Sequence, residues 1–119
     1  MPYIKTLKSL VDATPGSIGA ILVDWEGEAV QEYCHCDPYD MRFVAAHKGI
    51  ILARLKEMHS SSRAGQMISD VTVTASDCHL IIGCIDDDYS LVLHVARTCP
   101  AALALHHFRN AVAELKKEI

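Results

Sequence analysis

The sequence predicts an α+β fold: a single, mainly antiparallel five-stranded sheet with helices on both faces, in the order α-β-β-α-β-β-β-α. Three observations predict it. Residues 17–30 pass from an apolar run through a short polar turn into a second run without a break, the pattern of a β-hairpin. From residue 68 the apolar period becomes two, and three strand-like runs follow in succession as a meander. The first and last stretches carry apolar residues at intervals of three and four, as amphipathic helices do. The 119 residues make one domain, 1–119, with no room for a second core beside the first.

In helix one, Ile4, Leu7, Leu10 and Val11 form a stripe with Lys5, Lys8 and Ser9 between them, so this helix covers a sheet face. Pro15 and Gly16 stop it, because proline has no amide hydrogen and glycine accepts unusual dihedrals. Strand one, residues 18–23, is apolar at nearly every position and is expected inside the sheet with cover on both sides. It ends near Asp24; residues 24–27 suit a type I turn closed by a glycine of positive φ, and strand two starts near Glu28. Asp37 followed by Pro38 is a helix start, since the carboxylate caps free amides and proline has no donor to lose there. Helix two then runs to about Met58, and residues 60–65, small and polar, are expected to be a mobile connection. Val71, Val73 and Ala75 alternate with Asp70, Thr72 and Thr74, which predicts an edge strand over 68–75. Residues 78–85 and 89–96 are two more strands, joined by Asp86, Asp87 and Asp88. Pro100 opens the last helix, where Ala101, Ala104, Leu105, Phe108, Ala111, Val112, Leu115 and Ile119 share one face.

Half of the residues are hydrophobic, which is rich for so short a chain and predicts that some apolar surface meets another chain. The net charge of −4, with Lys and Arg scattered, offers no basic stripe to a phosphate backbone, so nucleic acid is not expected as a partner. No run approaches the roughly 20 apolar residues that cross a bilayer, and the N-terminus lacks the uninterrupted apolar core of a signal peptide. The five cysteines are an odd number outside any disulfide-rich framework. They predict free thiols, a reducing compartment and a cytoplasmic protein.

The chain resembles the roadblock domain, named for the dynein light chain roadblock and including bacterial regulators of Ras-like GTPases. The resemblance rests on Pro15-Gly16-Ser17-Ile18-Gly19-Ala20-Ile21-Leu22-Val23-Asp24 with Glu26 and Gly27, and on Ala45-Ala46 inside helix two. It continues through His79-Leu80-Ile81 and Leu91-Val92-Leu93 to a closing Phe108-Arg109. It covers nearly the whole chain. The resemblance implies strand order 2-1-5-4-3, helices one and three on one face and helix two on the other. It also implies homodimers or dimers with a related roadblock-domain subunit, and a non-enzymatic role in binding small Ras-like GTPases and scaffolds. Cys34-His35-Cys36 and the other histidines depart from the typical pattern.

Helix two has two apolar faces. Met41, Val44, Ile51, Leu52, Leu55 and Met58 suffice to cover the sheet, which leaves Phe43, Ala46, Gly49, Ile50 and Ala53 on the other side. A glycine inside a helix costs about 1 kcal/mol relative to alanine, so Gly49 is explained if another backbone or side chain approaches there. The alternative is a tolerated surface glycine. Together with the edge strand of Val71 and Val73, this face is expected to form the dimer, as the resemblance also suggests.

Cys34, His35 and Cys36 offer two sulfurs and an imidazole, so a metal- or redox-responsive domain is the competing reading. Structural zinc sites, however, space paired cysteines by two to four residues and need a fourth ligand. Cys78, His79, His106 or His107 would complete such a site only if the fold brought them close, so a strand-end cluster without metal is expected. A Cys–His nucleophilic pair lacks a third group to orient the base. The three aspartates lack the alternating oxygen ligands of a calcium loop and read as a polar turn, and His47 and His59 read as ordinary helix-surface residues. No glycine loop ending in Lys-Ser or Lys-Thr is present, so no cofactor or nucleotide is expected on this chain, and any GTPase involved is the partner.

Overall fold

The computed structural model describes residues 3–118 except 25, 27, 36–41, 64, 66, 67 and 87, and describes residues 42–48, 59 and 61–63 by backbone alone. The elements are α1 (Tyr3–Ala13), β1 (Ser17–Asp24), β2 (Ala29–Cys34), α2 (Arg42–Arg63), β3 (Asp70–Thr74), β4 (Cys78–Cys84), β5 (Tyr89–Ala96) and α3 (Ala101–Glu118). The five strands form one sheet in the order β2-β1-β5-β4-β3, with all four pairings antiparallel. The fold class, element order and strand order are those expected.

Alternation along the strands divides the core in two. Ala20 and Leu22 of β1, Ile81 of β4 and Leu91, Leu93 and Val95 of β5 face α1 and α3, where Leu7, Leu10, Val11, Ala104, Phe108 and Leu115 cover them. Ile21 and Val23 of β1, Leu80 and Ile82 of β4 and Val92 of β5 face the other way, under Ile51 and Met58 of α2. The apolar run of β1 is thus covered on both sides, as its lack of alternation requires.

At the end of α1 the Thr14 hydroxyl and amide both donate to the Leu10 carbonyl at 2.8 and 3.1 Å, and the Ser17 hydroxyl donates to the Val11 carbonyl at 2.6 Å. These bonds occupy carbonyls that the helix leaves without partners. Gly16, at φ +76°, then turns the chain into β1. The β1–β2 turn is closed by Asp24, whose Oδ1 accepts from the amides of Glu26 and Glu28 at 2.9 and 3.0 Å. Gly27, expected to close that turn, lies outside the described residues, as does the Asp37-Pro38 helix start.

One expectation fails in the connection after α2. Residues 60–63 are not loop but the last turn of the helix, which runs five residues past Met58 to Arg63. Each serine or arginine costs well under about 1 kcal/mol in a helix, too little to unwind a turn that continues from the buried Met58. The stop comes at Gly65, whose φ of +84° is the left-handed conformation in which helices commonly end. The strand after it is also shorter than expected, Asp70–Thr74 rather than 68–75, and lies at the sheet edge as its alternation predicts.

Candidate functional site

The outward side of α2 carries Gly49, Ile50 and Ala53, all exposed, with Ile50 at 41% of its full accessibility. A Cβ built on Gly49 would meet nothing within 4 Å. Ile51 and Met58 point the opposite way and are buried, so the helix presents an apolar face to the sheet and a small, apolar patch to the outside. Phe43 and Ala46, assigned to the same patch from helical spacing, have side chains outside the described residues.

Beside α2 runs the edge strand β3. The side chains of Val71 and Val73 are half-buried and pack against the cluster that holds Ile51 and Met58. They do not project outward, so what β3 offers a partner is its open backbone edge and the exposed Thr72 and Thr74. The strand is tied down from the other side. Arg109 of α3 holds the Asp70 carboxylate in a fork, Nε to Oδ2 at 2.9 Å and Nη2 to Oδ1 at 3.2 Å. These hydrogen bonds and the carboxylate charge raise the Arg109 guanidinium pKa further. His79 of β4 is buried, and its Nδ1 lies 2.9 Å from the Thr74 hydroxyl, which leaves it a structural role.

The 34–36 cluster sits at the opposite edge, where β2 ends. Cys34 is disulfide-bonded, which corrects the expectation of five free thiols; Cys78, Cys84 and Cys99 are free. The spacing rules behind that expectation concern cysteine frameworks of whole domains and cannot exclude one local bridge. A sulfur held in a disulfide is not a thiolate, so in this state Cys34 is not a zinc ligand. His35 Nε2 lies 3.0 Å from Asp12 Oδ1 of α1, and its ring sits beside that of Tyr33. Cys36 lies outside the described residues. Cys78 and His79 are on β4, and His106 and His107 are on α3, their rings 5.3 Å apart. Among the described residues no group of three or more Cys, His, Asp or Glu is placed to hold a metal ion.

Register reveals one residue that the sequence reading passed over. Gly19 pairs with Cys34 on one side and with His94 of β5 on the other. The pleat turns Cys34 and His94 toward the α2 side of the sheet, with no side chain at Gly19 between them. A histidine inside an apolar strand gives no sequence signal of this neighbour; only the pairing does. The turns at the other end are self-contained: Asp86 Oδ1 accepts from the amides of Asp88 and Tyr89, both at 2.8 Å, so that carboxylate closes its own turn. Among the described residues no helix is long and apolar enough to cross a membrane.

No family model and no curated protein matches the sequence. Solved structures match the fold. MglC from Myxococcus xanthus superposes with a TM-score of 0.76 at 17% identity over 100% of both chains. A Roadblock/LC7 domain from Streptomyces avermitilis gives 0.75 at 17% identity, over 96% of this chain and 94% of that one. A structure described as MglB with tetrameric arrangement gives 0.74 at 16% identity, over 98% of this chain and 86% of that one. The fold of this chain is therefore the roadblock fold.

Proposed function

We propose that the protein is a dimeric, non-enzymatic regulator or scaffold that binds a small Ras-like GTPase. On this reading it pairs with itself, or with a related roadblock-domain subunit, through the outward face of α2 and the free edge of β3. One observation carries the reading: in a roadblock fold, Gly49, Ile50 and Ala53 leave a small, apolar strip exposed on the helix beside an unpaired edge strand. Small side chains let a second backbone approach closely, and an open edge accepts a second strand through main-chain hydrogen bonds. The tetrameric arrangement named for one MglB structure supports self-association as a property that this fold can have. The GTPase is inherited from the sequence resemblance, which also agrees with the missing phosphate cradle. The setting on this reading is the cytoplasm.

The test is affinity capture from the source cell with the chain as bait, in excess GDP and, separately, in excess non-hydrolysable GTP analogue. A small Ras-like GTPase retained in one nucleotide state and lost in the other is the expected result. Absence of any small GTPase in both states refutes the partner assignment.

A further inference from the structure

We propose that Arg109 and Arg97 are positioning residues of the partner surface: they hold the two ends of β3 so that its free backbone edge meets β3 of a second copy of this chain already in register. The proposal rests on the reading above that β3 belongs to that surface. At the start of the strand, Asp70 pairs with Gly83 of β4, and the Phe108 ring is seated on that glycine, which brings the next residue of α3, Arg109, over the strand. The guanidinium fork closes there on the Asp70 carboxylate, whose side chain is only 12% exposed. At the far end, Thr74 Oγ1 lies 2.9 Å from His79 Nδ1, and Arg97, which follows β5, donates from Nη1 to the Ala75 carbonyl at 2.9 Å. These groups come from α3, β4 and the residue after β5, so they hold the strand without pairing with its outer edge.

The two edges of the sheet differ in a way that fits this role. Along β2 the register shifts opposite Leu22 and Val23, and the exposed carboxylate of Glu32 stands within the strand. Bulges and charges are devices that keep an edge from pairing. In contrast, β3 pairs with β4 from Asp70 to Thr74 without a shift and contains neither lysine nor proline. Its one charge, on Asp70, is neutralised by Arg109. An antiparallel copy of the strand centred on Thr72 sets Val71 against Val73 and Asp70 against Thr74, so two copies meet with no like charges opposed.

The size of the effect follows from populations. A short edge strand whose ends are released opens locally at small cost, and only the closed form pairs. In a dimer of identical chains both protomers must be closed, so the closed fraction enters the dissociation constant twice. A strand closed about a third of the time raises that constant about tenfold. Lysine at position 109 keeps the charge but presents a single point in place of the fork, so it restores only part of the loss.

The test joins sedimentation equilibrium to amide hydrogen exchange, on the native chain and on Arg109→Gln, Arg109→Lys and Arg97→Gln. In the wild type, exchange at residues 71–73 should slow as concentration rises and the dimer fills. In Arg109→Gln the dilute monomer should exchange faster at 71–73 but not at 80–82 or 91–93, and the dissociation constant should rise about tenfold. Arg109→Lys should fall between that variant and the wild type, and Arg97→Gln should act in the same direction as Arg109→Gln. Slowed exchange at 71–73 in the wild-type dimer, with Arg109→Gln and Arg97→Gln keeping the wild-type dissociation constant, overturns this proposal alone. Wild-type exchange at 71–73 that does not slow with concentration overturns the reading of β3 as partner surface and the proposal with it. Exchange that quickens throughout the sheet in Arg109→Gln makes the fork a general support of the fold, and that also overturns the positioning role. Should Arg109→Gln fail to fold, Asp70→Asn, which removes the carboxylate half of the fork, takes its place in the same measurements.

Discussion

Gly83 lies directly beneath Phe108, the largest fully buried side chain of the described residues. A Cβ at position 83 would stand 2.7 and 2.9 Å from the Phe108 ring and 3.1 Å from the Ser69 carbonyl. The ring is buried in the core cluster that α1, α3 and the sheet share, and the second neighbour is backbone, so relief of the overlap requires a shift of packed atoms. Gly83→Ala should therefore cost about 1–3 kcal/mol, seen as a lower urea midpoint at unchanged slope. An unchanged midpoint would show that the ring moves freely. The buried thiols make a second prediction at this scale. Burial raises the native pKa of Cys78 and Cys99, so above about pH 8.5 the unfolded chain releases thiol protons that the native chain keeps. Their contribution to stability is thus complete below that pH and declines as pH rises through the raised native values. Denaturation midpoints at pH 7 and pH 9.5 should show the decline, and Cys99→Ala should make it shallower. Phe108 and the buried leucines were legible as residues in the sequence, because a helical stripe is a local pattern. The contact of Phe108 with Gly83 was not, nor were Asp70 with Arg109 and Cys34 with His94 across Gly19. Each joins residues that are distant in the chain: the first two meet through the docking of α3 on the sheet and the third through strand register.

Among the elements, α2 departs most from its sequence reading. Its buried stripe, with Ile51 and Met58, was legible from spacing alone, but its end was not. The polar run after Met58 reads as a loop by composition, whereas a helix persists until something opposes it, and here that is Gly65. Gly65→Ala should cost about 1 kcal/mol through the left-handed φ. Gly49→Ala should do the opposite and stabilise the chain by about 1 kcal/mol, because a Cβ there meets nothing within 4 Å and alanine is the better helix former. Measuring both by chemical denaturation separates the two roles of glycine. A loss of stability on Gly49→Ala under conditions where the chain is monomeric would mean that the outward face of α2 is packed within the chain itself.

For the molecule as a whole, the sheet order and the division of helices between its faces were legible, because the hairpin, the meander and the resemblance all constrain one topology. The proposed partner surface was legible only in part. Helical spacing placed Gly49, Ile50 and Ala53 together on the outside; alternation gave β3 its solvated face correctly, but Val71 and Val73, assigned to the partner surface, turn toward the core, so on the proposed reading the strand would offer its free backbone instead. A protein that uses such a surface has no need of its own nucleotide site, and isothermal titration should detect no micromolar binding of GTP to the isolated chain. Micromolar binding would place the protein in another class. The measurement that tests the central claim most directly is sedimentation equilibrium of the wild type and of Gly49→Leu across a range of concentrations, each with its fold checked by circular dichroism. The wild type should behave as a dimer, and Gly49→Leu should retain the fold while its dissociation constant rises at least tenfold, because the added side chain occupies the space where the second helix approaches. A folded variant with the dissociation constant of the wild type, or a wild type monomeric at all concentrations, would contradict the account.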